Sequence, residues 1–387
     1  MITELYNIGG HYQSQYNNIY GDGVRDDSDA IQYLIDNNAK VSIPESVKIR
    51  LTKSLTLDIS KVHIFDGGNS IFLVDGDFPA FIITGSMTGG TANPTSLTEQ
   101  IIKDESGFVI KNCKIIGETL TEGCGIEITG CVNITVDACY VANLSNGIII
   151  KNLNRDIILS NNYIYAIYNC GIKLDSTVNL HQMNIVGNMI QYCHKCIHID
   201  NVEQYANYQI TGNDIEISSY PAHDLDDSRC VLVNISGNKS GYFAELVMCG
   251  NTIQGHSRSK FLIEINGGGV AKCTSINGNH ISNCKQACIK LASCSDTSVS
   301  GNTFKNDTYN EEGTYVLKAT GCNNTVFASN TFSNIGGLVN ADGSTNPNNG
   351  LIVNGNVGTC NFTPVATAGI NNGLLITDNV VNSTVLQ

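Results

Sequence analysis

The sequence predicts an all-β chain folded as a right-handed parallel β-helix, a solenoid closed at its start by a short capping helix. Three observations predict it. The first is a repeated phrase: an apolar-x-apolar tripeptide, a Gly-Asn or similar pair, then another apolar residue, as in "NIVGNMI", "YQITGNDI", "TSINGNHI", "TSVSGNTF" and "LIVNGNV". With the Asn, or Ala138, as marker, the phrase falls at 112, 138, 162, 188, 213, 251, 279, 302, 330, 356 and 379. The spacings are 26, 24, 26, 25, 38, 28, 23, 28, 26 and 23 residues. The second is a further phrase, "GIEI", "GIII", "GIKL", "CIHI", "CVLV", "LIEI" and "CIKL", that recurs between the markers from residue 125 to 291 and alternates apolar with polar positions. Strict alternation buries one side of a strand, and a fixed period means stacked units, none able to bury its apolar side alone. The third is composition: 38 Gly and only 6 Pro in 387 residues suit short strands joined by tight turns.

The chain begins differently. "YGDGVRDDSDAIQYLID" (20–36) opens with a Gly-Asp-Gly turn. Asp26, Asp27 or Ser28 can then cap a helix. Ala30, Ile31, Leu34 and Ile35 form one apolar stripe along it. A solenoid exposes an apolar end, and an amphipathic helix near 28–37 covers it. The short segments of "VSIPESVKIRLTKSLTL" follow. Residues 85–106 are rich in Gly, Thr and Ser and break the period, so they read as an exposed loop between the cap and the regular coils. The layout expected is an arm over 1–20, a cap helix with first strands and loop over 21–106, and coils with a C-terminal cap over 107–387. About ten coils are expected from 107 to 382, with polar loops at 341–349 and 361–373.

Net charge is −13, which argues against nucleic acid and against an anionic membrane surface. An acidic polysaccharide is disfavoured as well, unless a local Lys/Arg cluster or a cation offsets the charge. The opening residues carry neither a basic nor an apolar signal region, and no apolar run is long enough to span a bilayer. The 15 cysteines fall at strand ends and turns of successive units and read as reduced, buried small hydrophobes. The single Cys-x2-Cys, "CHKC" at 193–196, has no answering pair, so no metal site is expected. No cofactor is expected; the acidic loop described below leaves calcium open, but EF-hand spacing is absent.

Chemistry is sought where the strands place outward side chains side by side. Residues equivalent on adjacent coils stand about 4.8 Å apart. Glu127, Ile149, Lys173, His198, Leu232, Glu264 and Lys290 form one outward column; Thr129, Lys151, Asp175, Asp200, Asn234 and Asn266 form the next. Asp175 and Asp200 are one coil apart, with Lys173 and His198 beside them. A carboxylate separation of about 5 Å suits a retaining glycosidase, and inverting pairs need roughly 6.5–9.5 Å. An ordinary solvated pair flanked by lysines fits the same residues.

A second candidate is the 38-residue spacing, whose excess falls mostly in "SSYPAHDLDDSRC" (218–230). A long insertion on a rigid solenoid makes one wall of a groove. It brings Tyr220, His223, Asp226 and Arg229, after Asp214 and Glu216. Asp200, Asp214, Glu216 and Asp226 are the candidate catalytic acids. Asp175, Lys173, His198, Tyr220, His223 and Arg229 are the candidate substrate contacts. With no Trp, sugar stacking falls to Tyr.

The motif "GDG-x-x-DD-x-x-AI" with the strands after it resembles the start of the pectate-lyase-superfamily β-helix, common in bacteriophage tail spikes and preneck appendages and in some bacterial polysaccharide-degrading enzymes. The resemblance covers 20–60 by motif and about 107–382 by repeat. It implies a virion protein that binds and degrades a host cell-surface polysaccharide, a homotrimer with helices side by side, and attachment through the N-terminal arm. Two other readings stay open: a non-enzymatic receptor-binding or structural β-helix of a virion, and a bacterial polysaccharide lyase or glycoside hydrolase. The Gly-His-Gly and Arg-Ile-Lys motifs of polygalacturonases of this fold do not occur.

Overall fold

The computed structural model describes residues 6–8, 11–13, 18–88, 97–175, 179–200, 207–220, 224–234, 245–306, 313–382 and 384–386. The chain divides into two units, Met1–Gln191 and Tyr192–Gln387. In each, short strands stack coil upon coil in parallel register, so each unit is a β-solenoid.

In the first unit, strands Tyr6–Ile8, His11–Gln13 and Asn18–Ile19 form a small antiparallel sheet. Helix α1 (Ser28–Asn37) follows as expected, with Ala30, Ile31, Leu34 and Ile35 buried. The acids before it are structural. Asp27 accepts from the N–H groups of Tyr20 (2.6 Å) and Gly21 (3.1 Å). Asp26 accepts from the Ser28 N–H at 3.0 Å. Asp22 accepts from the Arg25 and Val24 N–H groups, which draw its carboxyl down to about 2.

The stack starts earlier than the repeats suggest. Leu55–Asp58 pairs in parallel with Pro79–Thr84, which pairs with Cys124–Thr129. Residues 97–106 are a packed flap, where the sequence reading expected an open loop. It contains helix α2 (Glu99–Asp104), capped by the Thr98 hydroxyl. Met87 and Ile101 bury against Val132, with Leu97 beside them. Glu105 is buried and accepts from the Ser86 N–H and hydroxyl.

The expected inward columns hold. Ile126, Ile128, Ile148, Ile150, Ile172 and Leu174 are fully buried in the first unit, as are Ile197, Ile199, Val231, Val233, Ile263, Ile265, Ile289 and Leu291 in the second. The strand register places the predicted neighbours side by side, Ile126↔Ile148↔Ile172 and Val231↔Ile263↔Ile289.

The marker Asn is a buried ladder. In the second unit Asn213, Asn251, Asn279, Asn302, Asn330, Asn356 and Asn379 follow one another, each backbone N–H donating to the next side-chain oxygen at 2.9–3.1 Å. The residue before each ladder Asn turns the corner with positive φ, as Gly212 does at +65°. This corrects the marker register by one residue in the first coils. Asn112 and Ala138 are the positive-φ corner residues (55° and 50°), and Cys113 and Cys139 hold the ladder position. Each thiol donates to the carbonyl two residues before it, at 3.4 Å, as the Asn279 amide does to Asn277.

The cysteines are free, and thirteen are buried; Cys249 is half-buried and Cys273 exposed. Burial pushes the Cys124 thiol up to about 12. Titration of native protein with a thiol reagent should therefore show one fast-reacting cysteine, removed by Cys273→Ser. Several fast thiols in the native protein would contradict the buried ladders.

The expected C-terminal loops are strands. Gly337–Asn354 runs through 341–349 and Val365–Asn372 through most of 361–373, paired in parallel from Val339↔Val365 to Gly343↔Gly369. Their polar composition concealed them, because backbone pairing rather than an apolar pattern holds them.

Candidate functional site: a charged corner beside the 224–228 turn

In each coil, the strand of the "GIxI" phrase defines one outer face, and a turn leads into it. In the first unit this face carries Glu127 and Lys151, paired at 2.8 Å. Lys173 aligns with Ile149. Asp175 ends the strand, its N–H bound to the Ile150 carbonyl at 3.1 Å. Glu127 first, and Asp175 after it, hold the Lys151 ammonium above its usual range. Asp175 thus faces a cation, as the ordinary solvated-pair reading anticipates.

In the second unit, Lys195↔Arg229, His198↔Leu232 and Asp200↔Asn234 are in register. Asp200 accepts weakly from the Asn234 amide at 3.4 Å. Five residues separate Lys195 from Asp200 along one strand, about 16 Å. Asp227 meets the Lys195 ammonium at 3.0 Å. Asp200 therefore lies at the far end of the face from the 224–228 turn, too distant to act as a carboxylate pair with Asp226. Asp214 and Glu216 sit on a different face of the coil, on strand Asp214–Glu216, beside Thr252 and Gln254. The four candidate acids do not converge on one point.

The turn into the face is where charge gathers. Asp224 caps a 3-10 turn, Leu225–Asp227, by accepting from the Asp226 N–H at 3.0 Å. Asp226 lies 3.7 Å from the ammonium groups of both Lys260 and Lys285. Asp227 meets Lys195, His194 at 3.8 Å and Arg229 at 4.0 Å. Burial opposes ionisation of Asp227, but the Lys195 bond and charge outweigh it and keep its carboxyl below the usual range. Burial, then the Lys195 charge, lowers the His194 imidazole.

Arg229 is inside. Its Nε donates to Glu264 at 2.5 Å, and its NH1 donates to the carbonyls of Asp226 (3.0 Å) and Ser228 (2.9 Å). Its guanidinium carbon stands 5.2 Å from the Phe261 ring centroid. Lys290 donates to the other Glu264 oxygen at 2.7 Å. Arg229 thus pins the turn to the coil, and the cations most open to solvent here are Lys260 and Lys285.

Asp214 and Glu216 are two residues apart on one strand, on one side of it, about 7 Å between Cα atoms. Burial, then the Asp214 charge, pushes the Glu216 carboxyl up. Glu216 ends its strand at the corner that begins the 217–228 segment. Tyr220 within that segment is 52% exposed. His223 lies outside the described residues. Among the described residues no group of three or more His, Cys, Asp or Glu side chains is arranged to hold a metal ion, and no helix is long and apolar enough to cross a membrane.

Sequence reasoning missed His194, Lys195, Lys260 and Lys285. A signal was present: "HK", "SK" and "KQ" each stand just before the repeated strand, on coils flanking the one that carries the acidic turn. Only the register of the corner shows that they meet the acidic turn.

Comparison with known proteins places the fold. Residues 100–242 match the family profile described as right handed beta helix region. The chain is a right-handed parallel β-helix. Tailspike protein 3 of bacteriophage CBA120 superposes with a TM-score of 0.64 at 12% identity, covering 94% of this chain and 56% of that one. The pre-mature gene product 12 of bacteriophage phi29 gives 0.63 at 12% identity, covering 94% and 52%. The A-module of mannuronan C-5 epimerase AlgE6 from Azotobacter vinelandii gives 0.53 at 13% identity, covering 95% and 98%. The β-helix thus spans about half the length of these two phage proteins. No curated protein matches the sequence.

Proposed function

We propose that this β-helix belongs to a phage tailspike or appendage that binds a host cell-surface polysaccharide and hydrolyses it at Asp214 and Glu216. The fold shared with two phage proteins supports the setting, and with it a virion location, a homotrimer and attachment through the N-terminal arm. The chemistry rests on one observation: burial and the Asp214 charge raise the Glu216 carboxyl, while Asp214 stands about one strand repeat away on the same side.

Two carboxyls whose environments push them apart divide into acid and base. Glu216, holding its proton longer, donates it to the glycosidic oxygen. Asp214 takes a proton from water, which attacks the anomeric carbon from the other side. Inverting enzymes hold their carboxyl groups roughly 6.5–9.5 Å apart to leave room for that water, and two side chains whose Cα atoms stand about 7 Å apart on one side of a strand can reach that separation. Tyr220, on the segment that follows Glu216, offers a ring face for a sugar. No cofactor is needed for this chemistry.

The test is reducing-end release from capsule or lipopolysaccharide of candidate hosts. Glu216→Gln and Asp214→Asn should each lower it by about 10² or more, with melting temperature little changed. Because the raised acid must be protonated, activity should fall as pH rises through the Glu216 titration, above the ordinary 4.5 of a glutamate. Full activity in both variants removes this pair. Tight glycan binding without cleavage by the wild type assigns the chain to the non-enzymatic receptor-binding reading instead.

A further inference from the structure

On one face of the first unit the repeat departs from its pattern. The strand after each ladder residue points its first and third side chains outward. In later coils those positions hold Thr252 and Gln254, Thr303 and Lys305, and Thr331 and Ser333. The fold therefore asks for no ring there. In the first unit the same positions hold Tyr140, Tyr163 and Tyr165, with the small Ala142 beside them. Tyr140 and Tyr163 are register neighbours on adjacent coils, as are Ala142 and Tyr165. The Tyr140 and Tyr163 ring centroids are 5.4 Å apart at 79°, and those of Tyr163 and Tyr165 are 5.6 Å apart at 64°, both edge to face. The Tyr163 hydroxyl donates to the Gln191 side-chain oxygen at 3.1 Å. Each ring is half-buried, which holds it in place and leaves part of it at the surface. Two flanking side chains are open: Lys114, in register with Tyr140, and Met189, 43% exposed, whose N–H binds the carbonyl of Asn162 just before Tyr163.

We propose that Tyr140, Tyr163 and Tyr165 form a stacking platform that grips a neutral polysaccharide of pyranose sugars. This rests on the glycan-binding part of the reading above, and not on hydrolysis at Asp214 and Glu216. The rings suit a sugar on three counts. A tyrosine ring has an electronegative face and an apolar body with a polar tip. The C–H face of a pyranose settles on that ring face while its hydroxyls stay wet. Coils stand about 4.8 Å apart, close to the length of one pyranose unit, so a sugar chain laid across them meets a new row of side chains at each unit. The rings are also set beforehand, by one another and by Gln191, so little side-chain freedom is lost on binding. Neutrality follows from charge. The outward neighbours on the flanking coils, Lys114 and Ile116 before and Met189 and Gln191 after, carry a single charge. A chain of net charge −13 disfavours an acidic glycan.

The probes are O-antigen and capsular polysaccharides purified from candidate hosts, neutral and acidic, titrated calorimetrically against the full chain. Wild type should bind a neutral one, with an affinity unchanged by high salt. Tyr163→Leu and Tyr165→Leu should each weaken that binding about tenfold. Tyr163→Phe keeps the ring and drops only the Gln191 bond, so it should bind nearly as wild type does. Melting temperature and sedimentation of each variant check that fold and assembly are kept. On a polysaccharide that the chain cleaves, the leucine variants should raise KM and leave kcat unchanged, the mark of lost uniform binding. Binding by wild type that both leucine variants match overturns the platform and leaves the glycan reading standing. Equal losses in Tyr163→Phe and Tyr163→Leu show that the hydroxyl and not the ring is needed, and overturn it too. Preference for an acidic polysaccharide with salt-sensitive affinity overturns the neutral class. Leucine variants that change assembly instead of affinity assign the rings to a contact between copies. Wild type that binds none of the polysaccharides overturns the glycan reading, and the platform with it.

Discussion

Glu264→Leu should lower the stability of the chain by about 3–5 kcal/mol, the usual cost of removing one partner from a buried ionic network. Glu264 and Arg229 have side chains only 9% and 7% exposed, and Lys290 is 25% exposed. Without the carboxylate, the Arg229 Nε and the Lys290 ammonium lose their shared acceptor, and the guanidinium charge stays in the coil wall. The 224–228 turn hangs from the same guanidinium through the Asp226 and Ser228 carbonyls, so it should loosen as well. Denaturant unfolding of wild type and variant measures the first effect; faster proteolysis near 224–228 reports the second. A double variant, Arg229→Met with Glu264→Leu, should recover much of the loss, because apolar replacement of a whole buried network is often nearly neutral.

The same network fixes a pH dependence. Burial opposes ionisation of Glu264, but the Lys290 and Arg229 bonds outweigh it and lower its carboxyl below the ordinary 4.5. A depressed carboxyl stabilises the fold above its unfolded value and loses that contribution as pH falls through its folded value. The stability gap between wild type and Glu264→Leu should therefore be full at neutral pH and shrink below about pH 4. A gap that is constant across acid pH would show that the carboxylate charge is not what holds Arg229.

How legible this molecule is depends on whether a residue's role repeats. The inward Ile and Val columns recur on every coil, so alternation alone places Ile126, Ile172 and Ile263 inside. The cap helix is legible because one apolar stripe and a run of acids bound it. The marker Asn is visible as a phrase, but the one-residue shift at Asn112 and Ala138 is not. Cys and Asn serve the same ladder position, and only φ separates the corner residue from the ladder residue.

The site is less legible because turns do not repeat. The spacing of 38 points correctly to an insertion, but not to where its charges land. Arg229 reads as an exposed ligand contact and is a buried anchor. Asp200 is grouped with Asp226 among the candidate acids and stands at the far end of the strand from the turn that carries Asp226. Asp214 and Glu216 are legible as a pair because they share one strand and its period of two. The lysines that meet the acidic turn come from other coils, and their contacts are set by turn geometry that alternation does not encode.

Asn302→Leu should cost several kcal/mol, since each buried polar group left without a partner costs about 1–3 kcal/mol. Asn302 is 1% exposed. Its side-chain oxygen accepts from the Asn279 N–H at 3.0 Å and from the Asn279 amide at 2.9 Å. Its own amide donates to the carbonyls of Ile276 (2.9 Å) and Ser300 (3.2 Å) and to Asn330 at 3.0 Å. Leucine keeps the volume and removes every one of these bonds, with no water able to replace them in a sealed corner. The Asn279 N–H then has lost its acceptor on one coil and the Asn330 oxygen a donor on the other, so damage spreads to both neighbours. A solenoid holds together by nearest-neighbour contacts, and a broken interface divides its cooperative unfolding. Hydrogen exchange should therefore show early opening around residues 276–330, with the first unit protected as in wild type. The control is Asn349→Ala. That residue belongs to an exposed amide ladder with Asn323 and Asn372, where water substitutes for lost partners, and surface changes usually stay within about 0.5 kcal/mol. Equal destabilisation by the two substitutions would show that burial is not what gives the inner ladder its weight. A large loss at Asn302 alone would identify the Gly-Asn phrase of the sequence as the device that locks one coil to the next.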